Sequence, residues 1–187
     1  SGMQSVMYGL SNVIIQSGIN SLGTNTLAAW AAYSKLDSVF WMMINAFGIS
    51  VTTFVGQNFG AGKYHRMLKS VSVCMIMSMV SSAVMIILMY SFAPCIYPLF
   101  TTDSAVIVHG VHMSRFLLPS YFIYVIIGIL SGALRGTGKV LVPMLLTCGG
   151  VCSLRILWLF TAGQMYPGIN TIMLSYPVSW SITAVLF

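Results

Sequence analysis

Three ionisable residues lie in stretches otherwise apolar enough to be buried in lipid: Lys35, Asp37 and Arg155. A charge at the centre of a bilayer costs roughly 2.5–3.5 kcal/mol on insertion scales, so each needs a partner, a wet cavity or a task. Asp37 carries the most chemistry. The chain holds two acidic residues in all, and the other, Asp103, lies between apolar stretches. An intramembrane carboxylate can take up a proton or attract a cation. Lys35 and Asp37 are two residues apart, about 200° around a helix, so they are not a local ion pair. Arg155 either pairs with Asp37 or snorkels outward to headgroups.

Asp37 belongs to a stripe. Asp37, Trp41, Asn45, Gly48 and Thr52 follow helical spacing and share one face. A second stripe, Ser5, Tyr8, Asn12, Gln16 and Asn20, does the same on the preceding apolar stretch. Two neighbouring helices with continuous polar faces point to a shared hydrated cavity. An interhelical hydrogen-bond seam would give the same pattern, and so would a subunit interface. The candidate substrate or cation cavity is Tyr8, Asn12, Gln16, Lys35, Asp37, Trp41 and Asn45. Asp37 and the aromatic faces of Tyr8, Trp30, Tyr33 and Trp41 could hold a cationic organic molecule.

Enzyme signatures are missing. There is no HExxH and no GxSxG. The run Gly136-Thr137-Gly138-Lys139 hints at a phosphate-binding loop but fails it, with Ala133 where the first glycine belongs and Val140 in place of Ser or Thr. Cys74, Cys95, Cys148 and Cys152 read as small apolar residues without a disulfide framework. His109 and His112 read as a wet helix end. No catalytic residue, metal or bound cofactor is expected.

The elements that must position these residues follow from composition. Of 187 residues 58% are apolar and 5% charged, against about 25% charged in a soluble domain. Water is therefore not the main solvent. Six spans emerge, at about residues 3–21, 26–55, 69–92, 114–134, 140–162 and from 170 onward. Helices are the default, because backbone groups in lipid must be satisfied within the segment. The chain starts and stops inside apolar stretches, so it reads as a single membrane domain over residues 1–187, truncated in its first and last helices. The +6 net charge is spread over helix ends, so nucleic acid is not an expected partner. Lys63, Arg66 and Lys69 follow the second span, and Arg135 and Lys139 follow the fourth. The opposite loops, at 22–26, 93–113 and 163–169, hold Asp103 and no Lys or Arg. Both basic loops are thus expected in the cytoplasm. Gly128, Gly132 and Gly136 form a ridge of small residues suited to close helix packing, with a gating hinge as the sharper alternative.

Two motifs carry a family resemblance. Val55-Gly56-Gln57-Asn58-Phe59-Gly60-Ala61-Gly62-Lys63 resembles the signature of the multidrug and toxic compound extrusion (MATE) transporters, where it follows the second helix of each lobe. Ala133-Leu134-Arg135-Gly136-Thr137-Gly138-Lys139, with Pro143 beyond it, is similar to that family's loop between the fourth and fifth helices. The resemblance implies an all-α polytopic membrane protein, here one six-helix lobe of a twelve-helix transporter. The stretch from Ile19 through Asp37 looks more like the C-terminal lobe. Gly56, Gln57, Asn58, Gly60, Gly62, Lys63, Arg135, Gly136 and Gly138 would form the signature loops. The family exports cationic and amphipathic compounds in exchange for H⁺ or Na⁺. The implied partners are membrane lipid, an N-terminal lobe of the same parent protein and small cationic or amphipathic substrates, in the bacterial inner membrane. Some Na⁺-coupled members carry acids on the seventh and tenth helices. Here Tyr8 stands near the first of those places, and the fourth span has no acid. A lipid-intermediate flippase of the same superfamily is the alternative within transport, and a non-transporting scaffold or truncated lobe is the alternative outside it.

Overall fold

Long apolar stretches fold as helices here because no other conformation satisfies their backbone without water. The computed structural model describes residues 2–166 and 168–187, with side chains from Val6 onward. Its helices are α1 (Gly2–Asn20), α2 (Thr24–Gly60), α3 (Tyr64–Ile96), α4 (Ser104–Leu117), α5 (Tyr121–Gly136), α6 (Leu141–Thr147), α7 (Leu154–Met165) and α8 (Ile169–Leu186). Among the described residues there is no strand. Single 3₁₀ turns extend α3 (Tyr97–Leu99) and join α4 to α5 (Leu118–Ser120), and a π turn (Cys148–Ser153) joins α6 to α7. These eight helices therefore form six rods. Five are long and apolar enough to cross a membrane: Thr24–Gly60, Tyr64–Leu99, Ser104–Gly136, Leu141–Met165 and Ile169–Leu186. The other is α1, which carries the stripe of Tyr8, Asn12, Gln16 and Asn20.

Several expected boundaries are corrected. The gap left between the second and third expected spans, residues 56–68, is not a long loop. Gly56, Gln57, Asn58 and Gly60 all belong to α2, and only residues 61–63 separate it from α3. The glycine-lysine pairs at the ends of both signatures are helix terminators of one design. Gly62 takes φ 68°, its N–H donates to the Phe59 carbonyl (3.0 Å), and Lys63 N–H donates to the Asn58 carbonyl (2.8 Å). Gly138 takes φ 85°, with Gly138 N–H on the Arg135 carbonyl (3.0 Å) and Lys139 N–H on the Leu134 carbonyl (3.2 Å). Both are Schellman caps, which need a residue in the left-handed region, where glycine meets no Cβ penalty. Arg66 and Lys69 lie on the first turns of α3, not in a loop.

At the opposite end, the expected 93–113 loop shrinks to residues 100–103. Pro94 sits inside α3. A proline costs one hydrogen bond, and the helix runs on past it. Asp103 starts α4 by accepting the Ala105 N–H at 2.8 Å, an N-cap bond. His109 and His112 are exposed within α4. The fourth rod thus begins about ten residues earlier than its hydropathy indicates.

The core forms where α2 lies along α5, flanked by α3, α4 and α8. Phe40, Ile44, Val51 and Val55 of α2 pack with Val125, Ile127 and Ile129 of α5. Glycines bring the two backbones together. A Cβ added to Gly132 would lie 2.8 Å from the Gly48 carbonyl oxygen, and one added to Gly136 would lie 2.7 Å from that of Thr52. Thr52 Oγ1 is 2.7 Å from the Gly48 carbonyl and 2.9 Å from the Gly132 carbonyl, so its one proton serves either helix. The Gly128-Gly132-Gly136 ridge is thus a packing seam. On the outer face of α3, Ile76, Val80 and Ile87 stand exposed, as a lipid-facing surface requires.

Candidate functional site

The turn at Gly23 (φ 102°) reverses the chain between α1 and α2. The two polar stripes therefore meet in opposite directions. Tyr8, Asn12 and Gln16 face Asp37, Trp41 and Asn45 across a cavity of about 650 Å³. Tyr124 of α5, Arg155 of α7, and Tyr176 and Trp180 of α8 complete its wall. A second cavity of about 450 Å³ shares Tyr8, Asn45 and Tyr124 with the first and continues past Gly48 and Thr52 to Arg135. Together they make one polar trough running most of the length of α2.

Aromatic rings give the trough its floor. Trp41 stands edge-on to Tyr124 at 4.5 Å and to Trp180 at 6.4 Å. Tyr176 stands edge-on to Trp180 at 5.6 Å. Such pairs are rigid and present flat apolar faces.

Asp37 is held from two sides. Trp41 Nε1 donates to its Oδ2 at 2.7 Å within α2. The Tyr121 hydroxyl of α5 donates to its Oδ1, and the Tyr33 and Tyr121 hydroxyls bond each other in the core behind it. Tyr121 also stacks on Phe40 at 4.1 Å. The acid thus ties the cavity wall to the α2–α5 core. Charge-assisted bonds of this kind are roughly twice as strong as neutral ones, so the tie depends on the charge of Asp37.

Arg155 is 3% exposed, and its guanidinium carbon lies 3.9 Å from the centre of the Tyr176 ring. It does not snorkel, and it makes no salt bridge to Asp37. Its position is fixed by the π turn before α7, which adds a residue to the rod and re-aims the side chains beyond it. Gly150 in that turn presses against Thr183 of α8.

Of the candidate cavity residues, Tyr8, Asn12, Gln16, Asp37, Trp41 and Asn45 come together. Lys35 does not. It points away from the trough, exposed, with its Nζ 5.9 Å from the Phe100 ring centre, because it lies on the opposite side of α2 from Asp37. The side chain of Ser5 lies outside the described residues. Among the signature residues, Gln57, Asn58 and Lys63 line a separate groove with Arg66 and Lys69. Gly56 touches α5, where an added Cβ would lie 3.3 Å from the Gly136 carbonyl oxygen. Arg135 reaches back into the trough, its Nη2 3.9 Å from where a Gly48 Cβ would stand. Sequence reasoning assigned Arg135 only to topology and the signature loops, and left Tyr124, Tyr176 and Trp180 unremarked. Their signal was weak, since aromatic residues in apolar helices usually pack in cores.

Six helical rods, five of them long and apolar enough to cross a membrane, surround an aromatic-floored trough, the architecture of an integral membrane protein. The MatE family model matches residues 1–161, and the chain belongs to that family. It is 24% identical over 182 residues to the "Probable multidrug resistance protein YoeA" of Bacillus subtilis (strain 168), covering 97% of this chain and 39% of that protein. It is 26% identical over 173 residues to the "FAD transporter" of Shewanella oneidensis, covering 91% of this chain and 37% of that one. The chain therefore spans less than 40% of the length of either relative. Its fold superposes on an outward-facing multidrug resistance MATE family transporter of the MOP superfamily with TM-score 0.89 at 17% identity, covering 98% of this chain and 41% of that one. It superposes on an inward-facing one with TM-score 0.88 at 12% identity, covering 100% and 43%.

Proposed function

We propose that this chain is one lobe of a secondary active exporter of amphipathic aromatic compounds, working by alternating access in a bacterial plasma membrane. The observation that carries the reading is the trough, where the stripes of α1 and α2 face each other over aromatic rings. A trough open along one side of a bundle is half of a pathway, so a second lobe is expected to form the other wall. The near-equal match to outward- and inward-facing transporters supports a lobe that keeps its shape while the pair rocks. The drugs and FAD in the relatives' names share an amphipathic, ring-bearing character. The walls favour that character over simple cation capture, because both oxygens of Asp37 already accept hydrogen bonds and two arginines line the trough.

Drive by H⁺ or Na⁺ falls to Asp37 in this lobe. Neutralising it weakens the bond from Tyr121 and loosens the tie between wall and core. The test is Asp37→Asn in the full gene product, with ion-gradient-driven efflux of a fluorescent aromatic substrate from vesicles. Gradient dependence should fall at least tenfold at unchanged expression. Wild-type coupling in that variant would reduce Asp37 to a packing residue and place the coupling elsewhere.

A further inference from the structure

Arg155 is a buried cation whose needs the protein leaves partly unmet. Its Nε has no hydrogen-bond partner, and the residue is 3% exposed. One face of the guanidinium rests on Tyr176. That contact stabilises the charge through the ring's π face, but it accepts none of the in-plane N–H groups. Five such donors are fixed in one plane. The nearby acid does not take them. Asp37 Oδ2 serves Trp41 and Oδ1 serves Tyr121, and no salt bridge joins Asp37 to Arg155 among the described residues. An unpaired buried donor costs more than the average hydrogen bond gains. Arg155 lines the same cavity as Asn12, Trp41 and Trp180.

We propose that Arg155 is an oxyanion-recognition residue, and that the trough takes flat aromatic compounds bearing a carboxylate or phosphate. The acid group would lie in the guanidinium plane and accept two parallel N–H bonds, the geometry in which arginine binds such groups most tightly. The rings would lie against Trp41, Tyr124 and Trp180, and the amides of Asn12 and Gln16 would meet polar substituents. Arg135, at the far end of the trough, gives the oxyanion a second stop on the way along it. This inference rests on the exporter reading for its setting and names the substrate class of that same site.

The test uses one ring with four head groups: 2-naphthoate, 2-naphthyl phosphate, 2-naphthalenemethanol and naphthylmethyl-trimethylammonium. Binding to the full gene product in lipid nanodiscs is measured by calorimetry. The two acids should bind at least tenfold more tightly than the neutral alcohol, a margin in the range of one charged hydrogen bond. Arg155→Gln should erase the margin, so that acids and alcohol bind alike in that variant, and Arg155→Lys should keep part of it. If the acids show no margin in the unmutated protein, if the ammonium binds best, or if Arg155→Gln keeps the margin, the inference is overturned. The head-group series on the unmutated protein decides even where a variant fails to fold. Gradient-driven efflux without acid preference would sink this inference and spare the exporter reading. Acid preference without efflux would do the reverse.

Discussion

Gly132→Ala adds one methyl group at the tightest point of the α2–α5 seam. The new Cβ would lie 2.6 Å from Val51 Cγ1 and 2.8 Å from the Gly48 carbonyl oxygen. Carbon contacts settle at about 3.5–4.0 Å, so this contact must open by roughly 0.9–1.4 Å. Neither neighbour can step aside. Val51 is fully buried and β-branched, with restricted χ1, and the other contact is backbone. Parting the helices also stretches the Thr52 bond to the Gly132 carbonyl. Overpacking of this kind costs about 1–3 kcal/mol, and the better helix propensity of alanine returns up to about 1 kcal/mol. With that return in full the net loss is up to about 2 kcal/mol, read as a lower melting temperature than the matched control. Gly60→Ala is the matched control. Gly60 is also helical, with nothing within 4 Å of its added Cβ, so the propensity gain stands alone and the melt should hold or rise. Both variants are made in the full gene product and followed by tryptophan fluorescence on heating in detergent. A Gly132→Ala protein that melts at or above Gly60→Ala would refute the seam.

Two further outcomes concern the helix caps and the topology. Gly62→Ala and Gly138→Ala meet no steric neighbour but force alanine to φ 68° and 85°; each should cost about 1 kcal/mol, and a melt equal to wild type would remove the cap reading. Single cysteines at Gly62 and Thr137, in a background without the native cysteines, should be shielded from impermeant thiol reagents in intact cells while one at Thr101 reacts; the opposite pattern would invert the topology drawn from Lys and Arg.

The polar stripes were legible because helical spacing is local. Once Asp37, Trp41 and Asn45 share a face of α2, and Tyr8, Asn12 and Gln16 share a face of α1, a tight turn between the helices brings them together. Lys35 was misplaced on the same local evidence used too loosely, since two residues along a helix is nearly the opposite side. What spacing could not show were contributions from distant chain. Tyr121 reaches Asp37 across 84 positions, and Arg155 arrives through a π turn that shifts the phase of its rod. Helix ends were misjudged where caps rather than hydropathy set them. Asp103 starts α4 in polar sequence, and the Gly62 cap carries α2 past its apolar run.

The length of α2 sets a lever ratio. Its 37 residues span about 55 Å at 1.5 Å per residue, against about 30 Å of hydrocarbon. Even tilted by about 40°, this rod projects beyond the hydrocarbon. Between Asp37 and Gly60 lie 23 steps, about 35 Å of arm. A rotation of about ten degrees pivoting near Asp37 would therefore sweep the Gly60 end through about 6 Å, while the atoms around the carboxylate barely shift. Because α5 is bound to the same arm through Gly132 and Gly136, the sweep would carry both helix ends as one piece. A small rigid rotation of the lobe about that point would become a displacement wider than a water molecule at the membrane surface.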